Sequence, residues 1–428
     1  MSRPLPSAPP AVRWIARTLE GAGFETWAVG GAVRDVLLGH PSGDWDLTTR
    51  ARPDEVRRLF RRTVPIGVEH GTVGVLTDDG VMFEVTTFRR DVETDGRHAV
   101  VAFADRIEED LARRDFTLNA IAWHPLREEM LDPFDGVGDL EAGVLRAVGE
   151  PEQRFAEDFL RVLRALRFAG RFELEIEDGT WTALRAATRY LPALSAERIR
   201  EELIKVLDAD PRPSGALDLY RTSGVVAALY PELEEVVRAA SGLWAATLRT
   251  IDALPVRRPL LRLAALLRPL EARATAQVLT RLRLSNHQVD ETARRAGAAP
   301  LPGAGAGEGE VRRWLARTGP ERLAAVARLD LAAARTAGGD SGCREAAEVV
   351  AAWRRARAIL RTRPPLRVGD LELDGRDLIG LGLRPGPAFG RILERLLDWV
   401  LEDPARNRKD LLEERALEEA AEGGASHG

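Results

Sequence analysis

The hydrophobic periodicity of this chain shifts near residue 111, and that shift limits the folds open to it. Between an opening helical stretch at 11–22 and that point, apolar runs are short and bounded by glycine. After it, apolar residues recur at three- and four-residue spacing with almost no strand-like alternation. The expected architecture is an α/β N-terminal head, a small mixed sheet with helices, followed by an all-α neck, body and tail. Within the head, Val12, Ile15, Ala16 and Leu19 fall on one helical face. Trp27 to Val29 reads as a strand, Gly30-Gly31 as a tight turn, Ala32 to Leu38 as a helix and Asp44 to Thr48 as a second strand. Arg52-Pro53-Asp54-Glu55 has the proline and acids of a helix start. Thr72 to Thr77 and Val81 to Thr87 flank Asp78-Asp79-Gly80 as a hairpin. Pro211 to Gly215 and the Ala/Gly/Pro stretch 297–309 read as linkers, and 418–428 as a frayed end.

A chain of 428 residues with 45% hydrophobic content is large enough for several cores. Its 62 basic and 67 acidic residues argue against a uniformly basic nucleic-acid binder and leave room for a local basic groove. The single Cys343 excludes an internal disulfide, no Cys/His cluster has zinc spacing, and a cytoplasmic setting is expected. No apolar run approaches the ~20 residues of a membrane span, and no membrane partner is expected. The sequence leaves oligomeric state open.

The chemistry concentrates in Gly43-Asp44-Trp45-Asp46-Leu47-Thr48. Strand alternation points Asp44 and Asp46 to one face, their Cα atoms ~7 Å apart, a spacing from which carboxylate oxygens can hold Mg2+ ions. Such ions would activate an attacking hydroxyl and neutralise leaving pyrophosphate. Glu84, an acid within the apolar strand 81–85, is the third candidate carboxylate, either the base for a hydroxyl proton or a strand acid held by Arg89. Upstream, Gly30 and Gly31 open a helix after a strand, with Arg34 one turn in, so backbone N–H groups are available to a phosphate. Taken alone, the acid pair would suit an exposed edge strand; its position a dozen residues after the glycine turn favours a nucleotide site.

These motifs resemble those of the class II tRNA nucleotidyltransferases, the CCA-adding enzymes, which share their fold with bacterial poly(A) polymerases in the DNA polymerase β superfamily. Gly30 to Asp35 and Asp44 to Leu47 are similar to the glycine and metal motif, Glu84 to Arg89 to the following strand, and Arg113 to Ala120 to the ribose-recognition motif. Asp132 to Gly136 with Asp139-Leu140 resembles the hinge, Glu157 to Arg161 the nucleotide-selecting motif, and Gly382 to Pro387 the tail signature. The resemblance implies catalytic Asp44, Asp46 and Glu84, with Mg2+ on Asp44 and Asp46. It implies nucleotide contacts from Gly30, Gly31, Arg34, Arg114, Asp115, Asn119, Asp158, Arg161, Arg164 and Arg167. It implies CTP, ATP and the tRNA 3′ end as partners. The domains expected are a nucleotidyltransferase head over 1–146, a selecting neck over 147–210, and RNA-binding body and tail over 211–300 and 301–428.

The residues themselves support part of this. On a helix, Asp158 and Arg161 would be neighbours, one acceptor beside one fork of donors. Cytosine pairs an amino donor at N4 with an acceptor at N3, and adenine N6 with N1, so such a pair accepts C and A and rejects G and U. A surface ion pair is the plainer reading of the same spacing. Arg161, Arg164 and Arg167 drift only ~60° per step and would line one groove facing a triphosphate, or form a solvated basic face. Asp115 would meet the ribose, or cap a helix running through Asn119 and Trp123. The stretch from Arg90 to Ala99 departs from the family's flexible loop, lacking its tyrosine and proline, which leaves CC-only or A-only addition open beside full CCA. Poly(A) polymerase and an inactive RNA-binding protein on the same fold are the remaining alternatives. None of the six histidines is followed by aspartate, so no fused His-Asp phosphohydrolase is expected.

Overall fold

The computed structural model describes residues 7–39, 43, 45–67, 71–94 and 99–425, and Asp44 therefore lies outside the described residues. The chain divides into two compact units, residues 1–234 and 235–428. The first unit opens with α1 (Pro10–Gly21), whose Val12, Ile15, Ala16 and Leu19 are buried as their spacing predicts. There follow β1 (Thr26–Val29), α2 (Gly31–Leu37), β2 (Asp46–Thr49), α3 (Pro53–Leu59), β3 (Thr63–Gly67), β4 (Thr72–Leu76) and β5 (Met82–Thr87). All four β1 side chains are buried, as in a strand covered on both faces. At α3, Pro53 sits in the first turn and the Glu55 carboxylate accepts the Arg52 N–H at 2.7 Å. The expected hairpin forms as antiparallel β4 and β5.

Five short strands depart from what periodicity predicts. β3 is an exposed edge strand interrupted by Pro65, which hides its alternation. β6 (Arg89–Thr94) and β7 (Ala99–Phe103) pair antiparallel where a loop was expected. β8 (Ala122–Trp123) joins β1 antiparallel and carries β9 (Met130–Leu131) beside it. The sheet order is β3-β4-β5-β2-β1-β8-β9, mixed because β2 and β5 run parallel. The helix expected through Asn119 and Trp123 is a single 3-10 turn, Thr117–Asn119. The chain then goes to β8 because pairing with β1 supplies backbone partners while burying both β8 side chains.

Beyond α4 (Ile107–Ala112) and α5 (Gly136–Ala142), the first unit becomes helical: α6 (Pro151–Glu157), α7 (Leu160–Phe172), α8 (Asp178–Ala187), α9 (Ala196–Ala209) and α10 (Ser214–Thr222). Helix α10 presses on α7 at Gly170, where a Cβ would lie 2.3 Å from the Ala216 nitrogen. The second unit is helical throughout its described residues after Glu235. One of its cores gathers Trp314, Leu315, Val326, Ala356 and Leu401, another Leu378, Leu396, Val400 and Leu412. Its last helix runs Lys409–Ala425, through much of the stretch read as a frayed end.

Candidate active site

Register places the acids. Leu47 pairs with Val85 and Thr48 with Thr86 in parallel β2 and β5, so Asp46 and Glu84 stand side by side one residue earlier. Along β5, Phe83, Val85 and Thr87 are buried while Met82 and Glu84 are exposed on the other face. That face is the floor of a cavity of about 670 Å3 lined by Asp46, Thr48, Glu84 and Thr86 among others. At its end Gly30 adopts φ +71°, and a Cβ there would lie 3.2 Å from Arg114 Nη1 and 3.9 Å from Asp46 Oδ2. Glycine is required both by the backbone and by the close approach of those two side chains.

The rest of the lining is mostly cationic, with nine basic against five acidic side chains around the whole cavity. Arg34, Arg164 and Arg167 gather around one ring, their guanidinium carbons 5.0, 5.3 and 4.2 Å from the Phe168 centroid. Arg34 is buried, bonded to Asp35 at 2.6 Å and to Asn119 Oδ1 at 2.7 Å. Burial lowers its pKa below the usual arginine value, partly offset by Asp35.

Asp115 is the anchor of this arginine wall. Its carboxylate accepts from Arg164 at 2.7 Å, from Asn119 Nδ2 at 2.9 Å and from the Phe116 N–H at 2.9 Å. Burial alone would push the carboxyl up, and Arg164 with these hydrogen bonds outweighs it, holding the pKa at about 2. Asp115 is thus an ion-pair partner and caps no continuing helix. Asp110, buried within α4, pairs with Arg113 and Arg114 at 3.2 Å each and accepts the Arg89 N–H. Burial opposes its charge too, and Arg114, Arg113 and Arg89 keep its pKa below the usual range.

The selecting pair needs a correction. Asp158 is not on a helix: it is extended, φ −154° and ψ 107°, in the break between α6 and α7. Its carboxylate accepts the Leu160 N–H at 3.0 Å and pairs with Arg198 of α9 at 2.7 Å. Arg161 instead pairs with Glu157 at 2.5 Å and donates to the Arg154 and Arg113 carbonyls. The two side chains line one cavity without bonding each other through the helical spacing expected of them. Arg167 pairs with buried Glu202 at 2.7 Å, and Lys205 meets the same carboxylate at 2.8 Å.

Every described candidate reaches this one cavity: Gly30, Gly31, Arg34, Asp46, Glu84, Arg114, Asp115, Asn119, Asp158, Arg161, Arg164 and Arg167. Sequence reading missed side chains that hold them, namely Asp110, Arg198 and Glu202, and gave Glu157 only as the start of the selecting motif. Asp110 had a local signal, an acid three and four residues before two arginines. Glu202 had another, an acid inside the apolar face formed by Ile199, Leu203 and Val206. Arg198 had none, because its partner is 40 residues away.

An acidic strand floor and an arginine wall, on a mixed-sheet head with helices behind it, define a nucleotidyltransferase head. Residues 26–146 match the family model described as the poly A polymerase head domain, and residues 173–236 match one described as a probable RNA and SrmB-binding site of polymerase A. The chain is 33% identical over 408 residues to the CCA-adding enzyme of Limosilactobacillus fermentum, covering 94% of this chain and 95% of that one. It belongs to the family of CCA-adding enzymes, which are tRNA nucleotidyltransferases, as the motif resemblance implied. Identity to the CCA-adding enzyme of Levilactobacillus brevis is 43% over 222 residues, and there the match spans only about half of each chain, 51% and 55%. The crystal structure of the Bacillus stearothermophilus CCA-adding enzyme in complex with CTP superposes with a TM-score of 0.75 at 31% identity, covering 98% of this chain and 100% of that one.

Proposed function

We propose that this chain transfers CMP and AMP from CTP and ATP to the 3′-hydroxyl of tRNA, building or repairing the CCA end and releasing pyrophosphate. The observation that carries the reading is the convergence of the twelve candidate side chains and glycines on one cavity with acids on its floor and guanidinium groups on its wall. Family membership narrows the substrate, and the relative crystallised with CTP supports cytidine triphosphate as one donor.

The donor set on the floor suits a hard divalent cation, since Asp46 and Glu84 offer adjacent carboxylate oxygens and, among the described residues, no histidine or cysteine lines the cavity. Asp46, with Asp44, would hold Mg2+. When bound, two such ions lower the pKa of the attacking hydroxyl and offset charge on the leaving pyrophosphate. Glu84 takes the 3′-hydroxyl proton. Arg161, Arg164 and Arg167 orient the triphosphate and screen its charge as the bond to the leaving group lengthens. Asp158 accepts the amino group of C or A while Arg161 donates to the neighbouring ring nitrogen, Arg198 fixing the Asp158 carboxylate from behind. A carboxylate has about four acceptor sites, so Asp158 can bind a base without releasing Arg198. Opposed donors and acceptors on G and U make neither contact, which disfavours them by roughly 1–3 kcal/mol.

In this reading residues 1–146 form the catalytic head and 147–210 the selecting neck, with body and tail, 211–300 and 301–428, binding RNA through backbone and shape. A cytoplasmic setting fits an activity on tRNA and the lone cysteine. The test offers tRNA transcripts lacking CCA, ending in C, or ending in CC, with CTP and ATP singly and together and Mg2+ present. Ordered completion of CCA on all three is expected. Addition of C alone, of A only to the CC end, or of long A tails would refute it.

A further inference from the structure

We propose that Tyr190, stacked on Phe159 beside the nucleotide cavity, is a stacking platform for an unpaired base of the RNA strand being extended. The inference rests on the tRNA reading above and adds a contact to it. The chain has three tyrosines, and Tyr220 and Tyr230 are buried while Tyr190 is 44% exposed. Its ring lies nearly parallel to Phe159, centroids 4.9 Å apart at 20° between planes. The other exposed aromatics of the first unit differ: Trp14 meets Phe60 edge-on, and Phe103 lies under Arg52.

Position ties the stack to the site. Phe159 falls between Asp158 and Leu160, both of which line the cavity, so its backbone is one ~3.8 Å step from each. Arg189 completes the group, its guanidinium 4.7 Å from the Tyr190 centroid and bonded to the tyrosine hydroxyl at 2.8 Å. Half-buried Phe159, exposed Tyr190 and the exposed Arg189 guanidinium lying over the tyrosine ring form a stack whose outer planar surface any base can stack on, with a positive charge at hand for the adjoining phosphate. Such a surface is indifferent to base identity. That suits a strand whose unpaired end changes from its original last base to C and then to CC as it grows, while the carboxylate and guanidinium inside the cavity select the incoming nucleotide.

The test compares wild type with Tyr190→Ala and Tyr190→Phe in the full chain. With CTP and a tRNA lacking CCA, Tyr190→Ala is expected to raise KM for RNA by roughly 5- to 150-fold, the range for one lost base–aromatic stack, with KM for CTP unchanged. Tyr190→Phe keeps the ring and should match wild type. Separately, without nucleotide, an RNA hairpin whose unpaired 3′-terminal base is 2-aminopurine should lose fluorescence on binding wild type and Tyr190→Phe, and much less on binding Tyr190→Ala. That readout needs no chemistry, so a wild type that quenches the probe but adds no nucleotide would sink the proposed function and leave the platform standing. Unchanged KM for RNA and unchanged quenching in Tyr190→Ala would overturn the platform. So would a rise in KM for CTP alone, or a Tyr190→Phe variant as weak as Tyr190→Ala.

Discussion

Replacing Asp115 by asparagine removes one charge and little else. Asparagine keeps an oxygen for the Phe116 N–H and Asn119 Nδ2, and loses the charged partner of Arg164. The carboxyl is held at about 2 against an ordinary 3.8, worth roughly 2–3 kcal/mol. Breaking a fully buried pair costs about 3–5 kcal/mol, and the Arg164 side chain retains 32% exposure, which places the loss near the lower end. The sign follows from the direction of the shift. The folded carboxyl is the stronger acid, so its contribution is present above pH 3.8 and disappears as pH falls from there toward 2. Wild type and Asp115→Asn should therefore differ by roughly 2–3 kcal/mol at pH 7, by about half of that at pH 3, and converge below. Hydrogen exchange read on peptides spanning 107–123 isolates this region from the second unit. Adding Arg164→Gln completes a double-mutant cycle with an expected coupling of about 2 kcal/mol. A coupling below ~0.5 kcal/mol, or a gap that widens between pH 4 and pH 3, would refute the assignment of Asp115 as the anchor of the arginine wall.

Three other perturbations probe separate parts of the argument. Glu84→Gln should cut nucleotide incorporation by about 10²–10⁴-fold while CTP affinity, measured by calorimetry, stays near wild type; incorporation within a few-fold of wild type would remove Glu84 from proton transfer. Gly30→Ala forces a side chain into positive φ at a cost of about 1–3 kcal/mol and crowds Arg114, so both KM for CTP and the thermal midpoint should worsen. Gly170→Ala puts a methyl 2.3 Å from the Ala216 nitrogen, and separation of α7 from α10 should cost about 1–3 kcal/mol by thermal unfolding; a neutral result would mean the helices are not packed this closely.

Much of the head was legible because its signals are local. Alternation along 44–48 and 81–87 fixes which side chains leave the sheet on the same face, and the structure puts Asp46 beside Glu84 accordingly. The glycine turn was legible for a similar reason, since φ +71° at Gly30 is a conformation that other residues adopt at a cost. Local signals failed where long-range pairing competed with them. Asn119 to Trp123 has apolar residues that suit a helix, yet the unpaired edge of β1 draws Ala122 and Trp123 into the sheet. The i,i+3 spacing of Asp158 and Arg161 held only on the assumption of continuous helix, and the chain breaks at Asp158.

Charge pairing shows the division most plainly. Sequence alone determined that a near-neutral chain carries arginines at 34, 114, 161, 164 and 167 in motifs with acids close by. It left open which acid meets which arginine, because any carboxylate attracts any guanidinium and the cavity holds nine bases and five acids. The packing of α7 against α9 and against the segment around Asp115 selected the partners. Arg164 took Asp115 across 49 residues, Arg167 took Glu202 across 35, and Asp158 took Arg198 across 40. Periodicity sets the direction in which a side chain leaves its own element, and only the docking of two elements decides what it finds there.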